Sequence, residues 1–149
     1  MNGFRFSEHI ERSPSEVFAV ISDPREAIGF LDNITDSKKL TDGPIGVDTT
    51  FRETRVVSGR ESSTDLRITA YEPDTHVGVR AAAEGITVTY QYRLAPDGDG
   101  TRLDWTCELE AGGLRRMMLP LVAAIMKKED GDHLQRLKAY MENGRHKTT

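Results

Sequence analysis

Two residues near the C-terminus have the types and the spacing that acid–base chemistry uses. Asp130 and His133 lie three positions apart, so on a helix their side chains share one face and a carboxylate stands beside an imidazole. Such a pair can orient a histidine as a general base. The surrounding residues are strongly charged, and Gly131 weakens a helix at this point. A solvated, charged turn is therefore the favoured interpretation, and an acid–base pair is the alternative.

Three further charged residues fall on strand faces that otherwise carry large apolar side chains. Glu8 is in phase with Phe6, and Glu53 and Arg55 are in phase with Phe51. An ionised side chain in a dry interior is strongly destabilising unless it is paired. These residues therefore indicate the polar end of an internal pocket or an internal ion pair. Alternatively, they lie at strand ends or beyond a bulge and face water.

The motifs of other chemistries are missing from the sequence. The four histidines have no metal-ligand spacing, the glycines form no phosphate-binding loop, and no nucleophile elbow is present. The single cysteine, Cys107, is in phase with Trp105 and Leu109, which favours a buried thiol over a nucleophile. We therefore expect no metal and no cofactor.

The composition excludes several classes of protein. The 24 acidic and 20 basic residues give a net charge of −4 without a basic stripe, so no nucleic-acid partner is expected. No apolar run approaches the roughly 18 residues of a membrane span, and no leader is recognisable. With the lone cysteine, these features predict a cytoplasmic protein. Residues 1–149 fit one domain with a frayed tail at 143–149, and the oligomeric state is left open.

The elements that would position the candidate residues follow from the hydrophobic periodicity. A strand over the first ten residues precedes a helix that begins at Ser13 with a capping box and a second short helix that reaches Phe30. A strand or extended segment comes next, and an apolar stripe over 120–142 predicts one continuous C-terminal helix of about 35 Å. Between them, period-two alternation broken by turn residues predicts strands at about 49–57, 62–72, 76–83, 86–95 and 101–110.

These elements define an architecture. Strands joined by short turns form an antiparallel meander, whose apolar face has to be covered. Only the C-terminal helix is long enough to cover it, so the sheet must curl around that helix. The sequence thus predicts an α+β helix-grip fold: a curled antiparallel sheet of six to seven strands around a long C-terminal helix, with two short helices after the first strand.

Short stretches spread in order along nearly the whole chain resemble the START-like or helix-grip (SRPBCC) superfamily, and within it the polyketide cyclase/dehydrase family. The resemblance implies a cavity between sheet and helix that accepts hydrophobic ligands, since family members include aromatic-polyketide cyclases and carriers of lipids and coenzyme Q. It carries over no catalytic residue. The matching stretches are residues 10–18, 22–24, 43–47, 71–73, 100–103 and 134–142.

Strand parity predicts which residues line such a cavity. Tyr90, Tyr92 and Trp105 would supply aromatic walls, while the small side chain of Ala81 leaves volume unfilled. Methionines on the helical side adapt to irregular ligands. The candidate ligand-binding residues are Glu8, Phe30, Phe51, Glu53, Arg55, Ile68, Val79, Ala81, Val88, Tyr90, Tyr92, Trp105, Met118 and Met126.

Three functions fit these observations. The leading hypothesis is binding or transport of a small hydrophobic or aromatic molecule, lipid-like or polyketide-like. The second is a cyclase or dehydratase that acts on such a molecule, and the third is a ligand-free domain that binds a protein partner. The acid–base groups of the second would come from Glu53, Arg55, Tyr90, Tyr92 or the Asp130/His133 pair.

Overall fold

The computed structural model describes residues 2–83 and 85–144. Of the predicted tail, residues 145–149 lie outside this range. The described elements, in chain order, are β1 (Gly3–Ile10), α1 (Pro14–Ile21), a 3-10 helix (Pro24–Gly29), β2 (Ile34–Lys39), β3 (Thr50–Val57), β4 (Arg60–Glu72), β5 (His76–Ala83), β6 (Ile86–Asp97), β7 (Gly100–Glu110), a second 3-10 helix (Gly113–Met118), α2 (Leu119–Asp130), α3 (His133–Ala139) and a π-helical turn (Tyr140–Gly144).

Helix α1 begins where its capping residues predict. The Ser13 hydroxyl accepts a hydrogen bond from the Glu16 amide at 3.2 Å, and the Glu16 carboxylate accepts one from the Ser13 amide at 3.4 Å. This reciprocal pair is a capping box, which satisfies amides that the first turn leaves unpaired. The apolar side of the helix is buried and consists of Val17, Phe18, Val20 and Ile21.

The strands form one curled antiparallel sheet in the order β1-β7-β6-β5-β4-β3-β2. The meander from β3 to β7 confirms the turn chemistry of the sequence: Ser58 and Gly59, for example, have φ values of 52° and 76° and join β3 to β4. The segment before the meander is a true strand, since β2 pairs with β3.

Strand direction gives the sheet two different ends. The β3–β4 and β5–β6 turns lie at one end, called here the cavity end, and the β4–β5 and β6–β7 turns lie at the opposite core end. Helix α1 contacts β5, β6 and β7, and tight packing fills the core end. Phe51, Ile68, Val77 and Leu103 have no exposed surface.

The C-terminal helix covers the sheet as predicted, but its predicted continuity over 120–142 is wrong. The helix is bent, because α2 ends at Asp130, α3 begins at His133, and both pack on β1. A Cβ atom at Gly131 would lie 2.9 Å from the carbonyl oxygen of Lys127, so the backbone approaches more closely there than a side chain allows. The bend leaves Lys127 and Lys128 in solvent while His133 turns toward the sheet.

Candidate functional site

A cavity of about 280 Å³ separates the sheet from the helices, toward the cavity end of the sheet. Its contributing elements are α1, the first 3-10 helix, strands β3 to β7 and the bend between α2 and α3. The lining residues are Val20, Ile21, Asp23, Pro24, Ala27, Phe30, Leu31, Asn33, Glu53, Arg55, Thr64, Leu66, Val79, Ala81, Ala83, Val88, Tyr90, Tyr92, Trp105, Met126, Glu129, Asp130 and His133.

Most of the cavity wall is apolar. Ala81 and Ala83 follow each other on the inner face of β5, and their short side chains leave the space unfilled. Val88 lies opposite Ala81 on the neighbouring strand, and Met126 of α2 faces the sheet from the helical side. Such walls favour an apolar guest, because its transfer from water is favourable.

Aromatic rings gather around Trp105 at the inner end of the cavity. The His133 ring stacks on the indole with 4.3 Å between centroids and 20° between planes. Tyr90 and Tyr92 are stacked with the same indole at 5.9 and 6.1 Å, and Phe30 meets His133 edge-on at 5.6 Å. Rings held by so many neighbours present fixed surfaces to a flat ligand.

The His133 side chain joins the helical half of the site to the sheet. Its Nε2 atom shares a 2.9 Å hydrogen bond with the hydroxyl of Tyr92. Burial, followed by the nearby charge of Arg55, lowers the pKa of His133 to about 4, so the imidazole is neutral near neutral pH. Burial also raises the pKa of Tyr92 well above its ordinary value, and its hydroxyl stays protonated.

An ion pair lies inside the cavity, as one of the two sequence interpretations anticipated. Glu53 is 6% exposed, and its Oε1 accepts a hydrogen bond from Nε of Arg55 at 2.7 Å. Both residues sit on the inner face of β3, two positions apart, as strand parity indicates. The pair gives the otherwise apolar cavity a polar side wall.

The Asp130 carboxylate also borders the cavity. Burial raises its pKa, and the charge of Arg55 partly opposes that rise. It has no hydrogen-bond or ion-pair partner among the described residues, so the Asp130–His133 pair of the alternative interpretation does not form. Lys127, Lys128, Glu129 and Asp132 are exposed, as a solvated, charged turn requires, but Asp130 and His133 are half-buried and line the cavity.

Two hydrogen-bond donors of the aromatic cluster lack partners within the described part of the chain. The Nε1 atom of Trp105 is buried without an acceptor. The hydroxyl of Tyr90 also makes no hydrogen bond there, and burial raises the pKa of this group so that it stays a donor. Buried polar groups in proteins are nearly always paired, so the indole N–H of Trp105 is unusual, whereas the Tyr90 hydroxyl is a free donor on a half-buried residue that lines the cavity.

The Cys107 thiol behaves as the sequence indicates. The residue has no exposed surface, and burial raises its pKa to about 12. A thiol that stays protonated is a poor nucleophile. Cys107 therefore belongs to the packing beneath the aromatic cluster.

The structure brings ten of the fourteen predicted residues together around the cavity and places the other four elsewhere. Phe51 and Ile68 lie deep in the packed core, because parity specifies the face of a strand but not the position along it. Glu8 lies on β1 opposite Leu103, near the core end. Met118 is 54% exposed, since the second 3-10 helix turns it outward.

The lining residues that the sequence prediction omits come mainly from the helical side. Val20 and Ile21 lie on the apolar side of α1, which the sequence indicates, but the sequence does not give the distance between that helix and the sheet. Thr64 is in phase with Leu66 on β4 and could have been included by parity. Asp130 and His133 have a spacing that suggests an acid–base pair, and only the bend explains their inward position.

A second, polar depression of about 220 Å³ adjoins the cavity and shares Arg55, Asp130 and His133 with it. Arg136 pairs here with Asp32 at 2.9 Å and with Asp132 at 2.7 Å. In this depression the carboxylates therefore outnumber the guanidinium groups. Its acidic residues are Asp32, Glu129, Asp130 and Asp132.

Residues 2–83 and 85–144 contain neither a membrane-spanning helix nor a metal-binding cluster. Within these ranges no helix is long and apolar enough to cross a membrane. No group of three or more His, Cys, Asp or Glu side chains there is arranged to hold a metal ion.

Fold and cavity together define a helix-grip protein with an internal space of small-molecule size. The model of the family described as polyketide cyclase / dehydrase and lipid transport matches residues 1–142, and the chain belongs to this family. No curated protein matches the sequence.

Solved structures share the fold at low sequence identity. Ara h 8.0201 is 16% identical with a TM-score of 0.75, over 93% of this chain and 95% of that one. TTHA0849 from Thermus thermophilus is 16% identical with a TM-score of 0.72, over 92% and 94%. The di-domain ARO/CYC BexL from the BE-7585A biosynthetic pathway is 10% identical with a TM-score of 0.78, over 93% of this chain and 46% of that one. At such identities the likeness shows the fold alone.

Proposed function

We propose that the protein binds or carries a small, mostly apolar molecule with a ring system and an oxygen acceptor. The observation that carries this proposal is the arrangement of side chains around Trp105, at the inner end of the cavity. There, stacked rings border the cavity space, and the Tyr90 hydroxyl, a donor on a lining residue, has no partner among the described residues. A carbonyl or phenol oxygen on a flat ligand would accept from the Tyr90 hydroxyl while its rings displace water.

The size of the cavity supports a compact ligand. Its volume of about 280 Å³ is at the lower limit of the roughly 300–1,000 Å³ of typical small-molecule sites. A molecule of two or three fused rings suits this space better than a long acyl chain. The family description, which includes both cyclases and lipid transport, accommodates such a ligand.

A thermal-shift and calorimetric screen tests the proposal. A ligand that binds only the folded state raises the melting temperature, so naphthols, quinones, aromatic polyketides and fatty acids should be ranked by that rise. We expect the compact ring compounds to give the largest rise in melting temperature. If no compound raises the melting temperature, the result contradicts this proposal and favours the alternative of a ligand-free domain that binds a protein partner.

A pair of variants on β5 localises binding to the cavity. Ala81→Phe should fill the space and weaken binding at least about tenfold, which corresponds to about 1.4 kcal/mol. Ala82→Phe adds the same ring at an exposed neighbour that faces away from the cavity, and it should leave affinity nearly unchanged. Equal affinity of the two variants would place binding outside the cavity.

The enzyme alternative rests on one specific observation. A neutral imidazole, His133, is hydrogen-bonded to the Tyr92 hydroxyl beside a cavity that Asp130 also lines. A neutral histidine in that position can accept a proton from a bound substrate. With aromatic polyketide substrates, His133→Gln and Tyr92→Phe should abolish turnover while calorimetry still detects binding. Turnover that survives both changes would remove this alternative.

A further inference from the structure

A strip of exposed apolar side chains runs along the second 3-10 helix and the first half of α2. Its members, called here the apolar strip, follow one another at intervals of three or four positions, except for one adjacent pair, so they share one face. The opposite face is buried through Leu119 and Ala123. The strip consists of Leu114, Met117, Met118, Leu121 and Ile125, with exposed fractions of 84, 79, 54, 62 and 49%.

The charged residues within the segment that carries the apolar strip are all basic. Residues 111–128 contain four basic side chains and no acidic one, although the whole chain has a net charge of −4. Arg115 and Arg116 lie at the start of the strip and Lys127 and Lys128 just beyond its end, and all four are exposed. An exposed apolar face flanked by basic residues is the pattern of helices that lie in a membrane interface.

The apolar strip lies beside the cavity. Arg115 packs against the β5–β6 turn, where a Cβ atom at Gly85 would lie 2.7 Å from its Nε. Ala83 at the start of this turn lines the cavity, and so does Met126, which follows the last residue of the strip. The strip and the cavity therefore share the same end of the sheet.

We propose that the apolar strip docks the protein on the surface of an anionic lipid bilayer. The apolar side chains would enter the headgroup boundary, and the four cations would meet lipid phosphates and carboxylates, each strengthening binding. A second copy of the chain fits less well as occupant, since a two-fold interface would bring the basic residues of one copy toward those of the other. This inference does not depend on ligand binding in the cavity.

Vesicle flotation with the full chain and no added ligand tests the proposal. We expect the protein to float with vesicles of phosphatidylcholine and phosphatidylserine, to bind pure phosphatidylcholine more weakly, and to dissociate at high salt. Arg116→Gln with Lys127→Gln should lower partitioning onto the anionic vesicles about tenfold or more. Leu114→Ser with Leu121→Ser should lower it at least as much.

A matched variant exists at the core end of the sheet. Leu40→Ser with Val47→Ser removes two apolar side chains that are 45 and 57% exposed, and it should leave partitioning unchanged. Circular dichroism and thermal melting would show that each variant is folded. The proposal is overturned if the protein does not bind the anionic vesicles, or if the Leu40/Val47 variant loses binding equally. It is also overturned if the unmodified protein sediments as a dimer that the Leu114/Leu121 variant dissociates without any vesicle binding.

Discussion

The imidazole of His133 lies where the sheet, the bent helix and the cavity meet. It stacks on Trp105, bonds to Tyr92 and touches Phe30, so its protonation affects all three contacts. Its burial was not foreseen from the sequence, which placed it in a charged turn. Its chemistry makes two predictions at the scale of single residues.

The first prediction concerns stability against pH. The pKa of His133 is about 4 in the folded protein and 6.5 in an exposed histidine. The unfolded chain therefore binds protons more readily between these values, and the free energy of unfolding falls as pH drops from about 6.5 toward 4. The full difference corresponds to about 3 kcal/mol, and we expect about 1–3 kcal/mol because the cavity admits water. Asp130, whose pKa is raised above 3.8, gives the opposite slope within an overlapping pH range, because its protonation on acidification removes the cost of a buried carboxylate.

Urea unfolding at several pH values measures this effect. The His133→Gln variant should lose less stability on acidification than the unmodified protein, because its unfolded state gains no extra proton at this position. His76→Gln, on the outer face of β5, is the matched control and should keep the full loss. Identical pH slopes for the unmodified protein and His133→Gln would contradict the prediction.

The second prediction separates the two tyrosines. Tyr92→Phe leaves the Nε2 atom of His133 without its partner, so the free energy of unfolding should fall by about 1–2 kcal/mol. Tyr90→Phe removes a hydroxyl that has no partner among the described residues, and its cost should stay below about 0.5 kcal/mol. Chemical unfolding of the two variants is the measurement. Equal losses would show that the Tyr92–His133 hydrogen bond contributes nothing to stability.

At the scale of elements, local chemistry made most of the fold predictable. The Ser13–Glu16 capping box and the hairpin turns act through neighbouring residues, and each appears where the sequence indicates. The bend at Gly131 was missed, since one glycine within an apolar stripe is compatible with a continuous helix. It is the close approach of the Lys127 carbonyl, a property of the folded backbone, that reveals it.

The capping box gives a prediction for α1. Ser13→Ala removes the hydroxyl that accepts from the Glu16 amide, and it should lower the free energy of unfolding by about 1 kcal/mol. Ser15→Ala, in the same turn but exposed, should change it by less than about 0.5 kcal/mol. Urea denaturation compares the two. Similar effects from both substitutions would mean that the cap is dispensable.

The sequence predicted which faces of the strands border the candidate site, but it did not predict the position and extent of the cavity. Strand parity selected inward residues such as Glu53, Val88 and Tyr90, which the structure places at the cavity. It could not tell that Phe51 and Ile68 lie at the end that α1 covers, because that depends on how far along the strands the helix reaches. The helical lining, such as Val20, required the three-dimensional packing.

At the scale of the whole molecule, the distribution of charge should select ligands. Glu129 and Asp130 line both the cavity and the adjoining depression without ion-pair partners among the described residues, and the Arg55 guanidinium is already paired with Glu53. A carboxylate ligand would meet repulsion there that a neutral molecule avoids. Free fatty acids and aromatic acids should therefore bind less tightly than neutral molecules of the same shape.

Calorimetry with 2-naphthol and 2-naphthoate measures this selectivity. We expect the neutral naphthol to bind about tenfold more tightly at low salt. The double change Glu129→Gln and Asp130→Asn should reduce the difference in affinity between the two compounds. Asp99→Asn, in the β6–β7 turn at the core end, should leave that difference unchanged. A preference for naphthoate, or a gap that the double change leaves intact, would contradict the prediction.

The position of Trp105 gives the protein an intrinsic fluorescent probe of its cavity. Because the sequence contains one tryptophan, all indole emission comes from the ring that forms the inner wall of the cavity. A molecule that binds against this wall should change the wavelength or the intensity of that emission, and no dye or label is needed to detect it. Molecules that settle elsewhere on the surface would leave the signal as it was.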